Sequence, residues 1–219
     1  MLGLTACGSA ENDGNTSSTA TTSKTETQQT ETAKQTENRE DKSTPADTAA
    51  APETADEAKS SGKDTIVVYF SATGTTKKIA ERIASVTNAD LYEIIPAEPY
   101  SDADLNWNDK NSRTTIEMND PNARPAIADD TISFDGYSTV YIGYPIWWGD
   151  APRIMSTFVE AHDFSGLTVI PFCTSGGSGI GRSGSNLASQ AGSGNWLDGD
   201  RLDGGISEDE LKTWISKYN

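Results

Sequence analysis

The chain has few of the residues that build disulfide frameworks or metal clusters. Among its 219 residues are two Cys and one His, and the spacing of these three excludes a zinc cluster. If Cys7 is acylated, as its surroundings suggest, Cys173 is left without an intrachain partner. It ends the apolar run Val169–Phe172, so we predict a buried structural thiol. The sequence also lacks an apolar stretch long enough to span a bilayer.

Basic residues are scarce as well. Seventeen Lys and Arg stand against 33 Asp and Glu, which gives a formal net charge of -16. Residues 1–63 carry -5 of this charge and residues 64–219 carry -11. Such a domain has no basic stripe for nucleic acid or anionic lipid. The acidity favours solubility; the alternative reading is that it steers the protein towards a basic partner.

The first part of the chain lacks the residues that form a core. Residues 9–62 contain no aromatic residue and no Leu, Ile or Val. Such a segment cannot bury enough apolar surface to offset its ordering entropy, so we predict a disordered tether. Residues 63–219 then form one domain of ordinary size.

A short motif precedes this tether. The segment Leu4-Thr5-Ala6-Cys7 resembles the lipobox of bacterial lipoproteins, in which the Cys is acylated. Residues 1–8 are therefore interpreted as a lipobox and signal remnant, with Cys7 as the lipidation site. The resemblance implies a protein anchored by lipid to the outside of the bacterial cytoplasmic membrane.

Buried strands and amphipathic helices alternate along residues 63–219. Apolar runs predict strands over 64–70, 89–95, 139–144 and 167–173, with a short strand or turn over 196–202. Helical spacing predicts helices over 74–86, 150–162 and 183–190, and a last helix that opens at the capping box Ser207–Glu210. Asp150 is interpreted as the cap of the second of these helices, with Pro152 in its first turn. The long polar region 100–130 has room for one short helix near 112–118. This alternation predicts an α/β fold with a parallel sheet and helices on both faces.

Three unusual loops directly follow predicted strands, over residues 71–76, 144–150 and 174–181. Ligands of parallel α/β sheets bind beyond the carboxyl ends of the strands, so these loops should converge. The first places hydroxyls and Gly74 before a helix N-terminus, which suits a phosphate group. The second presents Tyr144, Trp147 and Trp148 as flat surfaces, of which we expect one Trp to pack and one to line the ligand. The third offers backbone N–H groups beside small residues. Together they predict a site for an aromatic ring on a phosphorylated tail, such as flavin mononucleotide (FMN).

The same loops carry a family resemblance. Residues 71–76 match the pattern Thr/Ser-x-Thr-Gly-x-Thr, and residues 143–149 and 172–177 follow in order; over Thr65–Tyr218 the chain resembles bacterial flavodoxin-like proteins. The resemblance implies a three-layer, doubly wound sandwich whose five-stranded parallel sheet has the order 2-1-3-4-5 (flavodoxin is itself a standard example of ligand binding at the switch point of this order). It implies that the phosphate is held by Ser71, Thr73, Gly74, Thr75 and Thr76. The ring would be flanked by Pro145, Ile146, Trp147, Trp148 and Gly149, and its pyrimidine edge contacted by Thr174, Ser175, Gly176, Gly177 and Ser178.

Departures from known patterns narrow this expectation. The third loop lacks the Tyr that stacks on the ring in many flavodoxins, so a Trp must do so. The first loop does not match the Asp-Gly-x-Thr-Gly-Ala-Thr pattern of covalent flavin attachment, which predicts noncovalent FMN. A nucleoside-triphosphate P-loop motif is absent, and the glycines at 177, 179 and 181 form an incomplete dinucleotide fingerprint.

Three functions remain open at this point. The first is an electron carrier that exchanges electrons with protein partners and leaves the flavin edge open. The second is an FMN-dependent NAD(P)H:quinone or other small-molecule reductase, with a pocket beside the ring built from residues 100–128. The third is a surface binding module without redox turnover. No catalytic residue is predicted, because the flavin would carry the chemistry. Residues Arg113, Arg124 and His162 are expected at the surface, although the two Arg could instead cover the ring.

Overall fold

The computed structural model describes residues 63–218. Strands and helices alternate along this part of the chain. In chain order they are β1 (Thr65–Tyr69), α1 (Thr75–Thr87), β2 (Asp90–Glu93), α2 (Arg113–Asn119), β3 (Thr139–Pro145), α3 (Arg153–Ala161), β4 (Thr168–Thr174), α4 (Ser183–Ala191), β5 (Asn195–Trp196), β6 (Asp200–Arg201) and α5 (Glu208–Ile215). The predicted residues 1–8, the tether 9–62 and Cys7 lie outside the described residues.

The sheet is parallel, with the order β2-β1-β3-β4-β5. This confirms the predicted fold class and strand order. The chain crosses over between β1 and β3, because β2 lies on the far side of β1. The first loop and the second loop therefore leave neighbouring strands at the same edge of the sheet, the geometry in which parallel α/β sheets bind ligands.

The fifth strand is split into β5 and β6, both of which pair with β4. The carbonyl groups of Val169 and Cys173 accept bonds from the N–H groups of Leu197 and Leu202, at 2.9 and 2.8 Å. Between them, Pro171 faces the same neighbour but has no N–H to donate. The opposing backbone at Gly199 lies so close that an added Cβ would be 2.0 Å from the Pro171 carbonyl oxygen. The proline thus interrupts the pairing.

Two apolar clusters cover the two faces of the sheet. Alternate residues of β1 divide between them: Ile66 and Val68 face α3 and α4, whereas Val67 and Tyr69 face α1 and α5. The central strands β1, β3 and β4 are buried on both faces, which explains their continuous apolar runs. This arrangement is the predicted three-layer sandwich.

The predicted helix caps at Ser207 and Asp150 can be compared with the structure. The last helix opens with the predicted capping box: Ser207 Oγ accepts from the N–H of Glu210, whose carboxylate accepts from the Ser207 N–H. The interpretation of Asp150 as the cap of α3 is wrong. The Asp150 carboxylate accepts from the N–H of Ala151 at 2.9 Å, and α3 begins at Arg153 without a side-chain cap.

Among residues 63–218, no helix combines the length and apolar character needed to cross a membrane.

Candidate functional site

The first two loops and the end of β4 enclose one cavity at the carboxyl edge of the sheet. Its volume is about 380 Å³. Among residues 63–218, no charged side chain lines it. The lining residues are Ser71, Ala72, Thr73, Thr76, Leu105, Trp107, Thr114, Pro145, Ile146, Trp147, Trp148 and Thr174. Eight of the sequence-predicted site residues are therefore brought together.

The first loop forms a hydroxyl-rich end of this cavity. Ser71 Oγ accepts a hydrogen bond from the N–H of Gly74 at 3.1 Å, which closes the loop into a tight turn. Gly74 has a φ of 83°, a conformation that favours glycine, and α1 starts at the next residue. The N–H groups of the first helical turn have no acceptors within the helix. They and the loop hydroxyls are donors for an anionic group.

The lysines at the start of α1 do not supply a free charge pair for this seat. Lys77 Nζ lies 2.9 Å from the carboxylate of Glu93 on β2, which raises the pKa of Lys77. Lys78 is exposed. The described residues that line the cavity at this end are all neutral. An anion there would be held by hydroxyls, backbone donors and the helix dipole.

Two hydrogen bonds tie the loops together at Thr174, the last residue of β4. Its hydroxyl pairs with that of Thr76 at 2.8 Å, and both side chains are buried. Its carbonyl accepts from the N–H of Ile146 at 2.9 Å. Residues 98 positions apart in the chain are thereby held in one rigid corner.

The second loop presents its two tryptophans in different ways. Trp147 and Asp150 exchange backbone hydrogen bonds of 3.0 Å in both directions. Trp148 and Gly149, between them, have φ values of 49° and 81°, typical of a type I′ turn. The Trp147 ring packs edge-on against Phe70 at 5.6 Å, whereas Trp148 is 47% exposed. One Trp packs and one stands free, although both line the cavity.

Tyr144 does not belong to the exposed part of this loop. The prediction that it offers a solvent-facing surface is wrong, because it is fully buried within β3. Its hydroxyl lies 3.0 Å from Ser183 Oγ of α4. Burial raises the pKa of Tyr144. Tyr144 therefore joins β3 to α4 inside the core.

The third loop is organised by Ser175. Its Oγ accepts hydrogen bonds from the N–H groups of Gly177 and Ser178, at 3.1 and 2.8 Å. This loop follows β4 directly, but beyond Thr174 its residues do not line the cavity. The predicted residues that lie in the three loops without lining the cavity are Gly74, Thr75, Gly149, Ser175, Gly176, Gly177 and Ser178. Their roles stay predictions.

Three residues that the sequence analysis did not name as site residues form one wall of the cavity, in the region 100–128 that was expected beside the ring only in a reductase. Leu105, Trp107 and Thr114 come from the long polar region before β3 and from α2. That region was predicted to hold a helix near 112–118, and α2 at Arg113–Asn119, capped by Ser112, confirms it. The signal that could have drawn attention to Trp107 is an aromatic residue within an otherwise polar segment.

The two Arg and the His that the sequence analysis considered near the site do not line the cavity and are bound to other residues. The guanidinium of Arg113 lies 4.1 Å from the centre of the Tyr100 ring and 2.7 Å from Glu117. Arg124 pairs with Glu160 on α3. His162 Nε2 lies 2.6 Å from Asp130.

Cys173 is fully buried in β4 as a free thiol. Burial raises its pKa to about 12. The thiol therefore stays protonated at neutral pH, consistent with the structural role predicted for it.

Comparison with known protein families identifies the family of this chain. The profile of the family described as flavodoxin matches residues 64–218, which is the whole of the folded domain. The chain belongs to the flavodoxin family. No match was found among curated proteins.

Several solved flavoproteins resemble this flavodoxin-family chain. Two of them, assigned as flavoproteins, come from Bacteroides eggerthii and Bacteroides uniformis, and both are 47% identical to it. Each alignment covers 70% of this chain and 96% or 97% of the other, with TM-scores of 0.66 and 0.67. A flavoprotein of Lactobacillus acidophilus, solved in complex with FMN, is 26% identical with a TM-score of 0.52; that alignment covers 70% of this chain and 99% of the other.

Proposed function

We propose that this protein binds FMN noncovalently and transfers electrons through it. The observation that carries the proposal is the single cavity in which a hydroxyl-rich end meets an indole-lined end. The structural relative from Lactobacillus acidophilus, solved with FMN, supports the choice of ligand. Bound FMN would supply the redox chemistry, and the chain would bind, orient and shield it.

The residues present fit such a ligand. A phosphate group matches Ser71, Thr73 and Thr76 together with the N–H groups that open α1. A planar apolar ring matches Trp148 and the uncharged walls around it. Ribityl hydroxyls can bond to the polar groups between these ends. The two ends are held at a defined separation by the Thr76–Thr174 hydrogen bond.

The central test is a visible spectrum of the purified protein, followed by titration with FMN. We expect a yellow protein, or a colourless one that takes up one equivalent of FMN. If neither bound flavin nor uptake is seen, the proposal fails and the domain is a binding module on the same fold. Riboflavin serves as a comparison ligand, because it lacks the phosphate that the first loop should hold.

Between carrier and enzyme, the acidic surface favours the carrier. Residues 64–219 carry a net charge of -11, and a charge of this size speeds encounters with a basic redox protein. One observation favours the second candidate, an FMN-dependent NAD(P)H:quinone or small-molecule reductase. The wall made by Leu105, Trp107 and Thr114 comes from the region 100–128 and encloses the cavity on one side.

Steady-state assays separate the two. A carrier should be reduced by a protein donor and should show little turnover of quinones with NADH or NADPH. A reductase should turn over quinones with one of these donors and saturate with both substrates. The flavin content of the sample is measured first, so that an inactive apoprotein is not mistaken for a carrier.

We further propose that Cys7 is acylated and anchors the domain outside the bacterial cytoplasmic membrane. The motif Leu4-Thr5-Ala6-Cys7 supports this proposal. Expression in a bacterium with a labelled fatty acid should label the wild-type protein. The variant Cys7→Ser should remain unlabelled and leave the membrane fraction; equal labelling of both would refute the anchor.

A further inference from the structure

The long region before β3 presents an unexplained tryptophan to the cavity. Trp107 lines the cavity, yet its side chain is 72% exposed. Leaving so large an apolar surface in water is costly, at about 25 cal/mol for each Å².

Local hydrogen bonds hold Trp107 in this exposed position. The N–H of Asp109 donates to the Asn106 carbonyl at 3.0 Å, and the N–H of Asn108 donates to the Asn106 side chain at 3.1 Å. These bonds form a turn over residues 106–109, with Trp107 at its first central position.

The turn is fixed to the rest of the domain. The carbonyl of Asp104 accepts from both the N–H and the hydroxyl of Thr114, at 3.2 and 2.6 Å. Thr114 is buried on α2 and also lines the cavity. The side chain of Trp107 is therefore displayed at the cavity by a fixed scaffold.

The other aromatic residues near the cavity do not provide a second ring on which a flat ligand could stack. The ring of Trp147 packs edge-on against Phe70 and Tyr100, with centroid distances of 5.6 and 5.3 Å. The third loop has no aromatic residue between Thr174 and Gly181. Among residues 63–218, Trp107 and Trp148 are the two exposed indoles that line the cavity, at 72% and 47% exposure. A flat ligand in this cavity could stack on Trp148 of the second loop, and Trp107 offers a second exposed ring.

We propose that Trp107 is a stacking residue for the ring bound in this cavity, in the place that an aromatic residue of the third loop would otherwise take. The ligand class is a planar aromatic ring, and in this protein, given the proposed function, it is the flavin of FMN. Ring contact would bury the exposed indole and contribute to affinity. The segment 100–112 would then belong to the cofactor site.

The test compares Trp107→Ala with wild type by fluorescence titration of FMN and of riboflavin. We expect the dissociation constants of both ligands to rise by on the order of tenfold, because ring stacking does not involve the phosphate. Trp107→Phe should restore most of the affinity. The matched control is Ile116→Ala: Ile116 is 57% exposed on α2 and does not line the cavity. Its affinities should equal those of wild type.

A second readout does not depend on the measured dissociation constants. Acrylamide quenches exposed indoles, so the quenchable tryptophan fluorescence of wild type should fall when FMN is bound, and the part assigned to Trp107 by difference with Trp107→Phe should account for much of that fall. Thermal unfolding of Trp107→Ala without ligand should match wild type, because the side chain is exposed.

The outcomes are separable. If wild type binds no flavin, the proposed function fails. If wild type binds FMN and Trp107→Ala binds both ligands as tightly, the function stands and the stacking role of Trp107 is refuted. A loss confined to FMN would also refute it, because that result points to the phosphate.

Discussion

At the scale of single residues, the site depends on small hydroxyl side chains with different tasks. Thr76 is buried and bonds to Thr174, so it holds two loops together. Thr73 is exposed and lines the cavity. The first residue is structural as well as a possible ligand contact, whereas the second is available to a ligand. This difference makes Thr73 the cleaner probe of the phosphate seat.

Replacing Thr73 with Ala should weaken FMN binding by about tenfold, because one hydrogen bond to a charged group is lost. Riboflavin binding should not change, and neither should the thermal midpoint of the free protein. Titration of both flavins measures this. Thr213→Ala, a change of an exposed Thr on α5, is the control. Equal losses for FMN and riboflavin would contradict the assignment of the phosphate to the first loop.

At the scale of elements, β3 and β4 are locked by a close packing contact near the site. Gly143 on β3 pairs with Phe172 on β4, and the phenyl ring lies directly over the glycine. A Cβ at Gly143 would lie 2.1 Å from Cζ of Phe172. The ring is fully buried and contacts Trp214 of α5, so it has little room to move.

Gly143→Ala should therefore lower the free energy of unfolding by about 1–3 kcal/mol through overpacking. Urea denaturation measures this value. The control is Gly177→Ala in the third loop, where an added Cβ meets nothing within 4 Å. We expect no more than about 0.5 kcal/mol there. A comparable loss in both variants would indicate that backbone freedom, and not the Phe172 ring, is responsible.

A second element-scale contact fixes the region before β3 to α3. Arg124 donates two hydrogen bonds of 2.7 Å to the carboxylate of Glu160. The hydrogen bonds from Arg124 hold the pKa of Glu160 below its usual value of 4.5. The folded state then binds fewer protons than the unfolded state near that value, so the contribution to stability exists at neutral pH and is lost as the pH falls through the depressed pKa.

Glu160→Gln should accordingly be less stable than wild type at pH 7, by about 0.5 kcal/mol for so exposed a pair. The difference should vanish in acid, below the depressed pKa of Glu160. Urea denaturation across this pH range tests the expectation. Arg124→Gln should show the same pH dependence. A difference that persists unchanged in acid would show that the loss comes from packing and not from the ion pair.

At the scale of the whole molecule, charge is the dominant property. The negative field of the domain, with -11 over residues 64–219, acts over about 8 Å at physiological ionic strength. It bears on encounter rates with charged partners and not on the fold. In the described part of the chain, no charged side chain lines the cavity, so the field should act on the approach of a partner and less on the ligand within.

For the reduced, flavin-loaded protein, stopped-flow oxidation by a basic c-type cytochrome should slow by about tenfold when the ionic strength is raised from about 10 to about 300 mM. Oxidation by ferricyanide, an anionic acceptor, should accelerate instead. The two acceptors serve as mutual controls. If salt affects both in the same direction, the change reflects the protein itself and not electrostatic steering.

Much of the fold follows from local patterns in the sequence. The continuous apolar runs before residues 71, 144 and 174 required strands buried on both faces, and the helices between them required a parallel sheet. Local chemistry also located the capping box that begins at Ser207. Asp150 was misread because α3 begins only after Pro152, so its carboxylate accepts from the backbone N–H of Ala151 and from the side-chain amide of Asn186 and does not cap the helix. A side chain can cap a helix only if the helix begins next to it. The capping residue alone does not decide where the helix begins.

By itself, the sequence determined which loops meet, because strand-ending loops of a parallel sheet lie at one edge. Only the tertiary structure decided how they divide the work. Contacts between distant segments pair Lys77 with Glu93 and bury Tyr144 against Ser183. They also pack the ring of Trp147 against Phe70 and Tyr100. They also bring Trp107 to the cavity from a polar region with no periodic pattern. Local periodicity reports which face of an element is buried, but it carries no information about which distant side chain packs against it.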